Sequence, residues 1–173
     1  ICKICDHISF NSLRQLEHHR PVWEAAGVSV GLRVNPEHST QEGHAIYDPC
    51  APGSRLGILR STLGDSLPAG VEGLHFHTLC EQDSAPLVET FQAFEEKFGR
   101  FLHGLKWLNL GGGHHITREG YDLATLEKLI LYIRDKYDVE VYLEPGEAIA
   151  LNAGTLITTV IEVVENTMPI LIL

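Results

Sequence analysis

The 173-residue chain carries 13 Lys and Arg against 23 Asp and Glu, and its net charge of −10 argues against a nucleic-acid-binding protein. Its apolar (44%) and charged (21%) fractions are typical of a globular domain and argue against disorder or a fibrous repeat. The longest apolar stretches are broken by polar residues and fall short of the ~20 residues that span a bilayer, so we predict no membrane partner.

The predicted elements begin with a short strand at residues 7–11 and a helix at residues 13–19. Alternating apolar residues then predict a strand over residues 28–34, which ends before Pro36 because proline cannot donate to the ladder. The same period of two predicts a strand over residues 74–79.

The second half of the chain continues this alternation of strands and helices. Apolar residues spaced by three and four predict helices over residues 87–102 and 123–137. Residues 107–110 and 139–143 are predicted strands, and the glycines at residues 111–113 form the turn after the first of them. Alternation of this kind indicates a parallel sheet covered by helices, either doubly wound or a (β/α)8 TIM barrel.

Polar residues at the predicted strand ends favour the barrel. His75, His77, Asn109 and Glu144 all lie at or just after the end of a strand, which is the face where barrels carry their chemistry. A complete barrel needs about 250 residues, so we expect only part of one here. We predict a partial barrel over residues 1–150.

Residues 151–173 are predicted to begin a C-terminal β-domain, because residues 155–164 are long, β-branched and followed by no helix. The chain starts at Ile1 and stops within an apolar run at residues 170–173. We therefore expect it to be an internal fragment of a longer protein. The four cysteines at positions 2, 5, 50 and 80 fit no disulfide framework, which favours reduced thiols and a cytoplasmic protein.

Three features can carry chemistry, and each has a structural alternative. His75 and His77 share one face of their strand and are either metal ligands or polar core residues. The glycines at residues 111–113 either present amides to a phosphate or form a plain turn. Glu144, at the end of a buried strand, either serves a ligand or forms a structural salt bridge.

Together these features fit pyridoxal 5'-phosphate (PLP), which needs a ring stacker, a phosphate cradle and a carboxylate. Five segments, in chain order, resemble the carboxynorspermidine (carboxyspermidine) decarboxylase family. They are GLRVNP at 31–36, YDPCAPGSRLG at 47–57, GLHFHTLC at 73–80, LNLGGGH at 108–114 and LEPGEA at 143–148.

This resemblance implies an alanine-racemase-like fold, in which a PLP-binding barrel precedes a β-domain. It implies decarboxylation of carboxynorspermidine or carboxyspermidine to norspermidine or spermidine, in polyamine biosynthesis, by a cytoplasmic homodimer. Diaminopimelate, ornithine and arginine decarboxylases share this fold and remain alternative activities.

Carried over by position, the resemblance implies that His77 stacks on the cofactor ring. It implies that Gly111, Gly112 and Gly113 offer amides to the cofactor phosphate. Glu144 would bond the pyridine nitrogen and keep it protonated, so that the ring can accept the electron pair left by departing carbon dioxide. No metal is expected.

Two residues depart from the pattern of the ornithine and diaminopimelate enzymes. Cys80 stands where those enzymes have a small hydroxyl residue, and Glu147 stands where they have the arginine of a Glu-Pro-Gly-Arg motif. The acid in place of arginine removes a phosphate partner and suits an amine-bearing substrate. Arg55 is a further candidate for substrate binding, with a structural salt bridge as its alternative.

The resemblance also implies a Schiff-base lysine at the end of the first barrel strand. The five lysines of the chain, at positions 3, 97, 106, 128 and 136, do not fit that place. We therefore expect the Schiff-base lysine to lie outside these residues and the isolated chain to be inactive.

Two other function classes remain open. A metal-dependent barrel hydrolase would use His75 and His77 with His114 or His115 and an acid. A non-catalytic PLP-binding barrel would explain the glycine loop, but such proteins stop after the barrel, and the β-branched run at residues 155–164 argues against that class.

Overall fold

The computed structural model describes residues 1–41 and 47–173. Its main feature is a parallel sheet with the strand order β1-β2-β3-β4-β5. The strands are β1 (His7–Phe10), β2 (Ser29–Arg33), β3 (Val71–His75), β4 (Trp107–Asn109) and β5 (Glu140–Tyr142). Each strand pairs with the next one in sequence, which is the order of a β/α barrel and differs from the reversed order of a doubly wound sheet. The sheet is therefore the predicted partial barrel.

Helices follow β1, β3, β4 and β5. They are α1 (Leu13–His18) with α2 (Arg20–Ala26), α3 (Ser84–Leu102), α4 (Leu123–Tyr137) and α5 (Gly146–Ala150). Between β2 and β3 the described residues form a 3-10 turn at Arg60–Thr62. No helix in the described ranges is both long enough and apolar enough to cross a membrane.

Capping side chains fix the starts of the two long helices. Asp83 accepts a hydrogen bond from the Ser84 N–H at 2.7 Å where α3 begins, and Asp122 accepts one from the Thr125 N–H at 3.0 Å where α4 begins. The predicted apolar stripe of α3 is confirmed. Its buried members include Leu87, Phe91, Phe94, Phe98 and Leu102.

Strand β3 differs from the predicted strand at residues 74–79. It begins earlier, at Val71, and ends at His75, although Leu79 beyond it remains buried. After β3 the chain packs against the glycine loop that follows β4. A Cβ placed on Gly113 would lie 2.1 Å from the Leu79 carbonyl oxygen, so only glycine allows this close approach. The tight packing of two loops takes the place of strand pairing here.

Helix α2 was not predicted from the sequence. It starts after His19, with Pro21 in its first turn, where a missing N–H costs no hydrogen bond. It ends at Gly27, which has a φ of 65° and gives α2 a left-handed cap. The predicted helix at residues 13–19 is therefore only the first of two consecutive short helices.

A tryptophan fills the barrel interior near the amino ends of the strands. Trp107 of β4 lies against Gly31 of β2 and Gly73 of β3, where an added Cβ would come within 2.3 Å and 2.0 Å of its ring. Its indole N–H donates to the Ser29 hydroxyl at 2.9 Å, and that hydroxyl donates to Glu72 at 2.6 Å. The two glycines thus make room for one large side chain from the neighbouring strand.

Residues 151–173 form a separate antiparallel hairpin of β6 (Glu162–Asn166) and β7 (Met168–Ile172). Of the β-branched residues 155–164, only residues 162–164 lie in a strand. The antiparallel pair agrees with the start of a β-domain. A domain boundary at residue 150 remains a prediction.

Candidate active site

The carboxyl ends of the five strands lie at one edge of the sheet, because all of them run in the same direction. Arg33, His75 and Asn109 are the last residues of β2, β3 and β4. His77 and Glu144 each follow two residues after a strand end. The structure therefore collects the predicted strand-end residues at a single edge.

Glu144 is the centre of this group. Its Oε1 accepts a hydrogen bond from Asn109 Nδ2 at 2.8 Å, and its Oε2 lies 3.7 Å from His77 Nδ1. His75 Nε2 lies 3.9 Å from Oε1. The neighbouring His77 imidazole, followed by His75 and Asn109, lowers the pKa of Glu144 to about 2, against the effect of partial burial. The carboxylate is therefore ionised at neutral pH. Strand β5 is only partly buried, so the prediction of a buried strand before Glu144 is wrong.

His77 has two neighbours that compete for one ring nitrogen. The Gly112 N–H points at His77 Nδ1 from 3.4 Å, while the Glu144 carboxylate lies 3.7 Å from the same atom. Accepting from Gly112 requires an unprotonated Nδ1, whereas donating to Glu144 requires a protonated one. The Arg33 guanidinium donates to the His77 carbonyl at 3.3 Å and fixes the backbone of this residue.

The glycine loop is packed too tightly for any side chain. An added Cβ would lie 2.7 Å from His77 Cα at Gly111 and 2.6 Å from the Glu144 carbonyl oxygen at Gly112. Gly111 and Gly113 also have positive φ angles of 73° and 84°. Three adjacent glycines are thus explained by close packing, and this packing presses the loop against the two predicted cofactor-binding residues.

The amides of this loop are not equivalent. The Gly111 N–H already donates to Asn109 Oδ1 at 2.8 Å, and the Gly111 carbonyl accepts from the buried His114 Nε2 at 3.0 Å. The Gly112 N–H is held only by the long contact with His77. The Gly113 N–H has no hydrogen-bond acceptor among the described residues. Gly112 and Gly113 are therefore better placed to bind an anion than Gly111.

His75 is the most deeply buried member of the group, with 8% of its surface exposed. Neither of its ring nitrogens has a hydrogen-bond partner among the described residues. Burial lowers the pKa of His75 to about 4, so the ring is neutral at pH 7. It lines a cavity of about 160 Å³ together with Trp107, Asn109, Tyr142 and Glu144.

Asn109 is the site residue whose contacts sequence reasoning missed. Its position at a strand end was noted, yet a single side-chain amide here binds both Glu144 and the glycine loop. The available signal was a hydrogen-bonding residue two positions before the first of three glycines. Because an amide donates from nitrogen and accepts at oxygen, both contacts together fix its orientation.

The two predicted substrate-binding residues lie at different places. Glu147, in the first turn of α5, bonds His115 Nε2 at 2.8 Å and has Glu81 as a neighbour. The Arg55 side chain is exposed, forms no ion pair within the described chain, and contributes only its carbonyl to a bond from Asn11 Nδ2 at 2.9 Å. The structure thus brings Glu147 beside the glycine loop and leaves Arg55 with no contact to Glu144.

The lysines lie away from the strand-end group. Lys97 donates to the Pro36 carbonyl, and Lys106, which precedes β4, pairs with Glu72 at the opposite edge of the sheet. Lys136 pairs with Glu95. Across residues 1–41 and 47–173, no lysine forms a hydrogen bond or an ion pair with the side chains of His77 or Glu144. A Schiff-base lysine outside these residues remains a prediction.

No protein-family model matches the chain. Carboxynorspermidine/carboxyspermidine decarboxylase of Campylobacter jejuni is 43% identical over 173 residues, which cover 100% of this chain and 44% of that protein. Carboxyaminopropylagmatine decarboxylase of Synechocystis is 39% identical over 167 residues, covering 96% of this chain and 43% of that protein.

A solved structure shows the same likeness in three dimensions. The crystal structure of Campylobacter jejuni carboxynorspermidine decarboxylase, complexed with norspermidine, aligns with a TM-score of 0.79 and 39% identity. The alignment covers 98% of this chain and 43% of that one, so the chain spans less than half the length of the proteins it matches. Over this shared length, the chain is similar in sequence and in fold to the carboxynorspermidine/carboxyspermidine decarboxylases, which confirms the resemblance read from its motifs.

Proposed function

We propose that a longer protein containing this chain is a PLP-dependent decarboxylase that converts carboxynorspermidine or carboxyspermidine to norspermidine or spermidine. The single observation that carries this proposal is the ionised Glu144 carboxylate, held at a strand end between Asn109 and His77. The similarity to decarboxylases over 100% of the chain supports the same activity.

The residues at the strand ends fit PLP in charge and in hydrogen-bonding groups. When bound, PLP accepts the electron pair left behind as a substrate carboxylate leaves as carbon dioxide. Glu144 would hold a proton on the pyridine nitrogen, since its low pKa keeps it negative. His77, beside it, would pack on the ring face. Gly112 and Gly113 would donate their amides to the phosphate, and Gly111 would shape the loop.

The amine end of the substrate is proposed to meet acidic side chains. Glu147 stands beside the glycine loop with Glu81 and His115, and no Lys or Arg pairs with it in the described residues. Two carboxylates around one imidazole favour a positively charged ligand. We assign Glu147 to substrate attraction on this ground. Arg55 remains a weaker candidate, because only its exposed position near the end of β1 supports it.

The remaining assignments follow from the family resemblance. The covalently bound lysine would lie outside these 173 residues. The complete enzyme would be a cytoplasmic homodimer, and the free state of all four cysteines supports a reducing compartment.

One relative supports a second candidate substrate. The Synechocystis protein named for carboxyaminopropylagmatine is 39% identical, close to the 43% of the first relative. Carboxyaminopropylagmatine would present a guanidinium in place of a terminal amine. An exposed Glu147 can bind either cation, so the acidic cluster does not select between them.

The test is a substrate comparison with the full-length enzyme purified with PLP. We expect kcat/KM for carbon dioxide release to be highest with carboxynorspermidine or carboxyspermidine. Carboxyaminopropylagmatine is the second candidate, and diaminopimelate, ornithine and arginine are the controls. A preference for one of these amino acids would replace the proposed substrate class. Bound zinc with no PLP absorbance in the active enzyme would support the metal-dependent hydrolase instead.

A further inference from the structure

His75, His77 and Glu144 form a set of metal-binding groups that the proposed reaction does not explain. One ring nitrogen from each histidine and one carboxylate oxygen all lie within 4.8 Å of one another. The two histidines face different oxygens of Glu144, at 3.9 Å and 3.7 Å. Two imidazoles and one carboxylate are a donor set of zinc sites that keep an open fourth position.

The distances between these atoms are close to those between the ligand atoms of a bound zinc ion. Donors at about 2.05 Å from a tetrahedral zinc lie about 3.3 Å apart. His77 Nδ1 lies 3.7 Å from Oε2 of Glu144, and His75 Nε2 lies 3.9 Å from the other oxygen, Oε1. Binding of one ion therefore requires shifts of about half an ångström in the two imidazoles towards the carboxylate.

His75 is the residue that most needs a partner. It is 92% buried, yet neither ring nitrogen has a hydrogen-bond partner in the described chain, and one of them faces the carboxylate. Buried polar groups are almost always satisfied, because leaving them unpaired costs free energy. The roles proposed for His77 and Glu144 at the cofactor ring leave both His75 ring nitrogens without a hydrogen-bond partner in the described chain.

The carboxylate is held in place for such an ion. Asn109 binds one oxygen of Glu144 at 2.8 Å and is itself fixed by the Gly111 N–H, so the second oxygen remains available. Outer hydrogen bonds of this kind orient metal ligands and strengthen binding. No Lys or Arg in the described ranges forms an ion pair with Glu144 that would compete with a cation.

A second cluster provides a contrast. Glu81, His115 and Glu147 also have ligand atoms within 4.8 Å of one another. Here, however, there is only one imidazole, and its Nε2 is already bonded to Glu147 at 2.8 Å. This cluster is a less suitable metal site, and His115 serves as the matched control.

We propose that His75, His77 and Glu144 bind one zinc ion when the cofactor is absent, so that zinc and PLP compete for the same place. The competition rests on the proposed function, because His77 and Glu144 are the residues assigned to the cofactor ring. The zinc site itself does not depend on that function. Bound zinc would thus oppose PLP binding to the cofactor-free enzyme, and PLP would have to displace it.

The test uses the full-length protein stripped of PLP and metals. Zinc chloride is titrated against a chromogenic chelator, and X-ray absorption reports the ligands. We expect one zinc per chain, with two histidine nitrogens and carboxylate oxygen at about 2.0–2.1 Å. His75→Phe should weaken zinc binding at least tenfold, and His115→Phe should not. His75→Asn is the milder variant if His75→Phe unfolds, with circular dichroism as the check on folding.

Three results would overturn the proposal. They are the absence of bound zinc in the stripped wild-type protein, unchanged zinc affinity in both folded His75 variants, and equal zinc binding with and without saturating PLP. If the protein binds zinc through His75 but never binds PLP, the zinc site stands and the proposed decarboxylase fails. If PLP binds and zinc does not, only the zinc proposal fails.

Discussion

At the scale of single residues, Asn109 decides how the site is arranged. Its side-chain amide donates to Glu144 and accepts from Gly111, both at 2.8 Å. One residue therefore couples the carboxylate to the loop proposed to hold the phosphate. An amide can donate from its nitrogen and accept at its oxygen at the same time without adding a charge.

Replacing Asn109 with Asp tests this arrangement. The change removes the donor and places a second carboxylate 2.8 Å from Glu144, so the two negative charges raise the pKa of the pair. In the wild-type chain the pKa of Glu144 is about 2, well below the ordinary value of 4.5, so this side chain loses its charge only in strong acid. In Asn109→Asp the acid limb of the kcat/KM profile of the full-length enzyme should move up by at least about one pH unit.

Asn109→Ser is the control for this experiment, because it removes the contact without adding a charge. We expect a smaller shift of the acid limb with serine than with aspartate. An identical profile for Asn109→Asp and wild type would show that Glu144 does not depend on its neighbour.

Replacing Glu144 with Gln tests the ring-nitrogen role. The amide keeps the shape of the side chain but cannot remain negative, so it cannot keep a bound pyridine nitrogen protonated. We expect the decarboxylation rate of the full-length enzyme to fall roughly 10²-fold or more, with a similar thermal unfolding midpoint. A large loss of stability with an unchanged rate would indicate a structural role for this carboxylate.

At the scale of elements, the sequence predicted those parts that have a regular apolar pattern. Helices α3 and α4 each bury one face, and the alternating Val30 and Leu32 of β2 are buried, as the periodicity predicted. The end of β3 was misplaced because Leu74, Phe76 and Leu79 are all buried, whereas the chain leaves the sheet where the glycine loop packs against it. Contacts between loops that are distant along the chain leave no local pattern in the amino-acid sequence.

The same limit applies to the candidate site. The carboxyl ends of parallel strands lie at one edge of the sheet. This rule and the predicted strand ends were sufficient to predict that His77, Glu144 and the glycines share that edge. The roles of the individual amides and the contacts of Asn109 depend on side-chain rotamers and on φ angles. Neither can be derived from the order of the residues.

Substitution of Gly73 tests the packing of the barrel interior. In Gly73→Ala the new Cβ would lie 2.0 Å from the Trp107 ring, so the indole must move. We expect the free energy of unfolding of the full-length protein to fall by about 1–3 kcal/mol, measured by urea denaturation. Gly64→Ala is the matched control, since an added Cβ there meets no atom within 4 Å. Equal stability of the two variants would contradict this packing.

At the scale of the whole molecule, residues 151–173 stand apart from the sheet. All ten residues of β6 and β7 are exposed, and most of them are apolar. Exposed apolar strands promote association, because their unpaired backbone groups and side chains offer a template to another chain. The hairpin therefore makes the 173-residue chain prone to self-association.

The 173-residue chain is expected to bind PLP without forming a covalent link to it. None of its five lysines contacts the strand-end group in the described residues. We expect borohydride reduction followed by peptide mapping to find no stoichiometric pyridoxyl-lysine in this chain, whereas the full-length enzyme should give one. A specific, stoichiometric adduct on Lys3, Lys97, Lys106, Lys128 or Lys136 would contradict this expectation.

The packing of Trp107 against two glycines also affects folding during synthesis. Gly31 and Gly73 leave an open space on one face of β2 and β3, and the Trp107 side chain, made 34 residues after Gly73, fills it. The first three strands therefore lack part of their interior until Trp107 has left the ribosome. Because β4 supplies the missing volume, a nascent chain that stops before it has no means of completing this part of its core. The ribosome must therefore translate β4 before the first three strands can complete their core packing.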